Sequence, residues 1–378
     1  MTEIYLDSAA TSLHKPPQVA QAVAEAICKA GNAARGAHGA SLSALRTVYD
    51  TRCLAARLLG CPRPDHVVFA ANSTMALNIA ICGLLSPGDH AISTDLEHNS
   101  VLRPLYALQR QGMALSFVPA DKNGQVSYDA FERLFRPNTR AVVCTHASNV
   151  TGDVLDIPRI AAMAHRRGAL LILDASQTAG AIPLDMTALG AAFIAMPGHK
   201  GLYGPQGTGV LLCGKDVPVR TLLEGGTGSI SIQQEMPDFL PDRLEAGTHN
   251  MPGIAGLLAG VRFVRQLGPE AICAGERQLT FQAAEGLRRL PGLQVFALPD
   301  LAAQAGVLSI VPEHMDAEAL GAALADRGIA VRAGLHCAPL AHRTAGTLDT
   351  GTVRLSFSHW NTREEVSRFL VAMGEILR

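Results

Sequence analysis

The sequence predicts a large, mainly parallel α/β domain followed by a smaller α+β domain. Three observations carry this. Apolar runs alternate with helical patterns through the first two thirds of the chain. The rhythm changes after Gly247. At 378 residues, with 48% hydrophobic, the chain exceeds one ordinary small domain and can bury a sizeable core.

The expected strands of the first part are His66–Phe69, His90–Ser93, Ala141–Thr145, Leu170–Leu173, Ala192–Ala195 and Gly209–Leu212. Several lack polar alternation, as strands covered on both faces should. Helical patterns over Ser73–Leu85, Ser100–Gln111 and Ile157–Arg167 lie between them, the signature of a parallel sheet with helices on both faces. Later, Pro252–Leu267 and Glu270–Leu290 read as long helices split by Gly268-Pro269. Short strands follow near Val307–Val311 and Val353–Phe357, with a helix over Asp316–Arg327 between them. A last helix opens at Asn361–Thr362, where Glu365 completes a capping box. The expected division is a large domain over 16–250 and a small one over 251–378 joined by residues 1–15.

A net charge of −1 offers no basic surplus for nucleic acid. No apolar run reaches about 18 residues, and Met1–Asp7 lacks a basic-then-apolar secretory pattern. The expectation is a soluble cytoplasmic protein. The eight cysteines form no C-x-x-C pair and no Cys/His cluster with zinc spacing, so reduced thiols and no metal are expected.

Six segments carry candidate chemistry. Lys200 lies in Pro197-Gly198-His199-Lys200-Gly201, just past the apolar run Ala191–Met196, where open α/β sheets bind ligands. A desolvated lysine there has the lowered pKa needed to form an imine with an aldehyde cofactor; the alternative is a surface loop lysine. Asp174 ends the run Leu171-Ile172-Leu173. A buried acid needs a partner, and a protonated pyridine nitrogen is one; the alternative is an Asp capping the next turn. Ser73 and Thr74 open a helix, where a phosphate is favoured or where either residue acts as an ordinary N-cap. His98 follows a strand, placed to stack on a ring and relay protons, or to be a satisfied polar residue.

Cys337 sits in Arg332-Ala333-Gly334-Leu335-His336-Cys337-Ala338-Pro339, a Gly/Pro-flanked loop beside a histidine and near an arginine. Positive neighbours raise the thiolate population, so Cys337 is the leading nucleophile. Arg354, inside the strand Val353–Phe357, needs an anion: a substrate carboxylate or a structural partner.

Taken in order, these segments resemble the class V aminotransferase group, specifically NifS/SufS-type cysteine desulfurases. Tyr5-Leu6-Asp7-Ser8-Ala9-Ala10-Thr11, Asn32…Arg35-Gly36-Ala37-His38 and Leu244-Glu245-Ala246-Gly247-Thr248-His249-Asn250 add to the likeness, which runs from residue 5 to about 365. The resemblance implies the pyridoxal-5'-phosphate (PLP) transferase fold of the aspartate aminotransferase type. It implies PLP held as a Schiff base on Lys200, stacked by His98, paired at its ring nitrogen with Asp174 and contacted at its hydroxyl by Gln177. Ser73, Thr74 and His199 would bind phosphate, with Thr248 reaching in from a second subunit of a homodimer. Asn149, Arg354 and Arg332 would face the substrate. L-cysteine would become L-alanine, its sulfur passing to Cys337 and then to an acceptor protein. The short stretch between Cys337 and Arg354 resembles the SufS-like branch. Pro197 stands where many members carry a serine, Gly201 is one extra residue after the lysine, and Ala34 replaces a histidine. The competing expectations are a selenocysteine lyase, another class V aminotransferase or lyase in which Cys337 is incidental, and a non-catalytic binding protein.

Overall fold

A computed structural model describes residues 3–33, 36–214 and 217–378. Ala34 and Arg35, quoted above, lie outside them.

The N-terminal strand β1 (Ile4–Tyr5) is followed by the strands of a seven-stranded sheet. These are β2 (Val67–Ala70), β3 (His90–Thr94), β4 (Ala114–Val118), β5 (Thr139–Thr145), β6 (Leu170–Asp174), β7 (Phe193–Pro197) and β8 (Gly209–Cys213). Their spatial order is β2-β8-β7-β6-β5-β3-β4. Only β8 runs antiparallel to its neighbours, so the sheet is mixed but mostly parallel, as predicted.

Alternate residues of the central strands enter different cores. Val142, Leu171, Leu173, Val210 and Leu212 pack on one face, while Val143, Ile172, Phe193 and Leu211 pack on the other. Both faces are therefore dry, which is why polar alternation is missing from the sequence.

Beyond residue 290, β9 (Leu293–Phe296), β10 (Val307–Pro312), β11 (Ile329–Ala330), β12 (Arg332–Gly334) and β13 (Thr352–Ser356) follow. Four of them form an antiparallel sheet in the order β12-β13-β10-β9, and β11 pairs with β1. The final helix, Arg363–Ile376, starts with the expected capping box of Thr362 and Glu365. Its Phe369 and Met373 pack with Leu308, Ile310 and Leu355.

Several boundaries differ from expectation. His66 belongs to a short 3-10 turn, its amide donating to the Arg63 carbonyl at 3.1 Å rather than to the ladder. Strand β4 is half-exposed at the sheet edge and lacks the apolar run that flagged the others. The strands β11 and β12 are too brief to show a period, and β9 is half-exposed at the edge of the small sheet. The helix after Asn250, Met251–Leu267, sends Leu257, Leu258 and Val261 into the core beneath the large sheet. We propose the two-domain division with this helix bridging the boundary at residue 250.

Phe369→Ala removes a fully buried ring from the C-terminal core. The expected cost is about 3–5 kcal/mol, seen as an earlier denaturant unfolding midpoint; an unchanged midpoint contradicts this packing.

Candidate active site

Strands β5 and β6 end side by side, with Thr145 beside Asp174, while β7 passes Asp174 at Ala195 and runs on to Pro197. A cavity of about 220 Å³ opens past these ends. Ser73, Thr74, His98, Asn149, Asp174, Gln177, His199, Lys200, Arg332, Cys337 and Arg354 all line it. Of the predicted site residues, only Thr248 is elsewhere; it lines two other cavities, near Phe69 and near Tyr49.

The floor is Asp174, 3% exposed. Its Oδ1 accepts from the Ser176 amide at 2.9 Å and from the Ser176 hydroxyl, whereas no described residue bonds Oδ2. Ser176 Oγ lies 2.8 Å from Ser73 Oγ, joining the acid to the start of the helix Ser73–Leu84. The N-cap of that helix is Asn72, which accepts from the Met75 amide at 2.9 Å. Neither Ser73 nor Thr74 caps it, so their hydroxyls stay with the cavity and their amides lack intrahelical acceptors. Thr74 Oγ1 contacts Ser100 Oγ at 2.8 Å, and Ser100 Oγ contacts His98 Nδ1 at 2.9 Å.

His98 caps the helix Asn99–Arg110, its Nδ1 accepting from the Ser100 amide at 3.0 Å. That bond leaves the proton of the neutral ring on Nε2. Burial pushes the His98 pKa down to about 4, against the opposing pull of Asp174. Burial also takes His199 down to about 4, and its Nδ1 meets Thr11 Oγ1 at 3.0 Å.

Lys200 follows β7 by three residues. Burial, reinforced by the positive charge of Arg354, lowers its pKa from the ordinary 10.5 to about 8. The glycine after it is needed sterically: a Cβ on Gly201 would lie 2.5 Å from the Ala179 carbonyl oxygen. Gln177 donates to the Ala9 carbonyl at 3.3 Å.

The far wall comes from the C-terminal sheet. Arg354, on β13, is 2% exposed and pairs across the ladder with Arg332 on β12. Arg354 donates to Asp7 Oδ1 at 2.9 Å and to the Asn149 carbonyl at 3.2 Å. Asp7 is therefore its structural partner, and Arg354 also lines the cavity.

Cys337 is exposed, and both it and His336 adopt positive φ (57° and 49°), costly for residues with a Cβ. Two bonds hold this turn down. The His336 carbonyl accepts from Asn149 Nδ2 at 2.8 Å, and the Cys337 carbonyl accepts from the Asn99 amide at 2.7 Å. The expectation that His336 supplies positive charge to the thiol is corrected. Its ring is buried against Thr352, and burial lowers its pKa to about 2, so it is neutral. Arg332, Arg354 and Lys200 are the cationic side chains that line the cavity with Cys337.

Asn72, Ser100 and Asp7 had no assigned role in the sequence. Asn72 before a helix start was a legible cap signal. Asp7 gave no signal, because its partner lies 347 positions away.

The donor set fits pyridoxal phosphate. The cavity offers an amine of lowered pKa, a buried carboxylate with one unbonded oxygen and a hydroxyl-bearing helix start.

Comparison with known proteins agrees. The family model described as aminotransferase class-V matches residues 4–369. A probable cysteine desulfurase of Methanothermobacter thermautotrophicus is 34% identical, over 99% of this chain and 94% of that protein. One of Mycolicibacterium paratuberculosis is also 34% identical over 99% of this chain, which spans 55% of that longer protein. The apo structure of a cysteine desulfurase from Thermococcus onnurineus NA1 superposes with TM-score 0.94 at 32% identity, covering 99% of this chain and 94% of that one. The Escherichia coli cysteine desulfurase CsdA gives 0.90 at 29% identity, covering 99% and 94%. The chain belongs to the class V aminotransferase family, among relatives named as cysteine desulfurases.

Proposed function

We propose that this chain is a PLP-dependent cysteine desulfurase that uses Lys200 to move the substrate's Cα proton and Cys337 to accept its sulfur. The observation that carries this is the meeting of Lys200, Asp174, Arg354 and Cys337 in one cavity.

When bound, the cofactor supplies an aldehyde and an electron sink. Lys200 would hold it. Asp174 Oδ2 would pair with its ring nitrogen and Gln177 with its hydroxyl, while Ser73, Thr74 and His199 would bind its phosphate. His98 would lie against the ring, neutral and oriented by Ser100. Arg354 and Asn149 would take the α-carboxylate of L-cysteine, the planar guanidinium matching it in two-point fashion. Lys200, with a pKa near 8, is readily unprotonated and accepts the Cα proton. The Cys337 thiolate then attacks the substrate sulfur. Its new S–S bond forms as the Cβ–S bond of cysteine breaks, and the carbon fragment takes up protons to leave as alanine. The exposure of Cys337 allows an acceptor protein to reach the persulfide.

A homodimer is part of this proposal. Exposed Leu45 and Tyr49 border the same cavity as Thr248, and Leu42, Leu223 and Ile232 are also exposed, the apolar surface expected of a subunit contact. The short Cys337–Arg354 stretch, folded as a seven-residue helix and a turn, supports the SufS-like branch. Among the described residues, no helix is long and apolar enough to cross a membrane. We propose a cytoplasmic location from the reduced cysteines.

With cysteine as substrate, Cys337→Ala should reduce alanine and sulfide formation by at least about 100-fold while leaving the bound cofactor's yellow absorbance. Lys200→Ala should lose both. Alanine formation at the normal rate in Cys337→Ala contradicts the sulfur step, and pyruvate as the product contradicts the reaction type. In the apoprotein, modification of Lys200 by an amine-directed reagent should rise with pH through a midpoint near 8, because only the unprotonated amine reacts. A midpoint at the ordinary 10.5 contradicts the desolvated lysine.

A further inference from the structure

Arg354 is fixed more elaborately than neutralising a buried cation requires. One terminal nitrogen donates to the Asn149 carbonyl and the other to Asp7 Oδ1, while Nε has no partner among the described residues. Of the five N–H bonds of a guanidinium, two are used and three remain. Asp7 is itself held by backbone. It forms a bridge to Ser356, two residues along from Arg354 on β13. The Ser356 amide donates to the Leu6 carbonyl at 2.8 Å, and the Ala9 amide donates to Ser356 Oγ at 2.8 Å. The Tyr5 hydroxyl donates to the Asp7 carbonyl at 3.2 Å and the Thr11 carbonyl at 2.9 Å. The carboxylate therefore sits on a segment tied to the strand that carries its partner.

We propose that Asp7 is a positioning residue: it sets the plane of the Arg354 guanidinium so that the remaining N–H groups meet the substrate carboxylate. It also offsets the cluster of positive charge before substrate enters. The inference rests on Arg354 being the carboxylate anchor. Two-point recognition depends on the plane of the fork, so a rotated guanidinium loses both bonds together. The charged groups around it are the cations Lys200 and Arg332 and the anion Asp174, with His98, His199 and His336 neutral. Asp7 also acts on Lys200, opposing the downward push of Arg354 on its pKa.

The test compares Asp7→Ala, Asp7→Asn and Arg354→Lys in two ways: KM and kcat for L-cysteine in the holoenzyme, and the pH titration of Lys200 in the apoprotein. Asp7→Ala should raise KM about tenfold or more, with kcat within about twofold, the pattern of lost ground-state binding. Asp7→Asn keeps an oxygen acceptor and should recover most of that KM. Both should move the Lys200 midpoint to lower pH, since a counter-charge is gone. An unchanged KM in Asp7→Ala, or a fall in kcat alone, overturns the proposal. If Asp7→Ala fails to fold, Asp7→Asn decides: an unmoved Lys200 midpoint overturns it, and a lowered one supports it. Arg354→Lys separates the two levels. Unchanged KM there removes the anchor assignment itself, whereas raised KM there with none in Asp7→Ala removes only the role of Asp7.

Discussion

The structure is organised around one electrostatic constraint: a carboxylate at the end of a strand whose other residues are apolar on both faces. Asp174 continues Leu171, Ile172 and Leu173 into the cavity and is itself almost fully buried. A lone charge there would be costly, so its surroundings must compensate. Ser176 supplies two donors to one oxygen, and the other stays free for a cation. The same Ser176 reaches Ser73 at the start of the helix Ser73–Leu84, so the acid and that helix end are set at a fixed separation. Register between β5, β6 and β7 then places the lysine loop beside them.

The Cys337 thiol depends on a different kind of constraint. His336 and Cys337 both take the left-handed conformation, and the turn persists because its two carbonyls are tied to Asn149 and Asn99. These anchors come from the two walls of the cavity, one next to His98 and one bonded to Arg354. The short loop is thereby pre-organised, and its position is coupled to Asn149 and to the segment that carries His98. Arg354 adds a second tie across the cavity by joining Asp7 and Asn149.

Much of this was legible in the sequence. Unbroken apolar runs such as Val142–Cys144 and Leu171–Leu173 revealed strands covered on both faces, and the residues following them gave the site. Thr362 with Glu365 gave the last helix start. What was hidden depended on distant partners or on brevity. The Asp7–Arg354 pair spans the chain, and no local pattern announces it. Strand β4 escaped because it is half-exposed at an edge, and β11 and β12 because two or three residues show no period. His336 misled because adjacency to Cys337 suggested a charged neighbour, whereas burial keeps its ring neutral.

Transfer of sulfur from cysteine onto Cys337 is read out by intact-protein and peptide mass spectrometry. The holoenzyme is given a stoichiometric amount of L-cysteine without reductant and quenched by alkylation. One added sulfur atom is expected, confined to the peptide bearing Cys337 among the eight cysteines, in step with alanine formed. Alanine formed with no sulfur on Cys337, or with the sulfur on another cysteine, would contradict it.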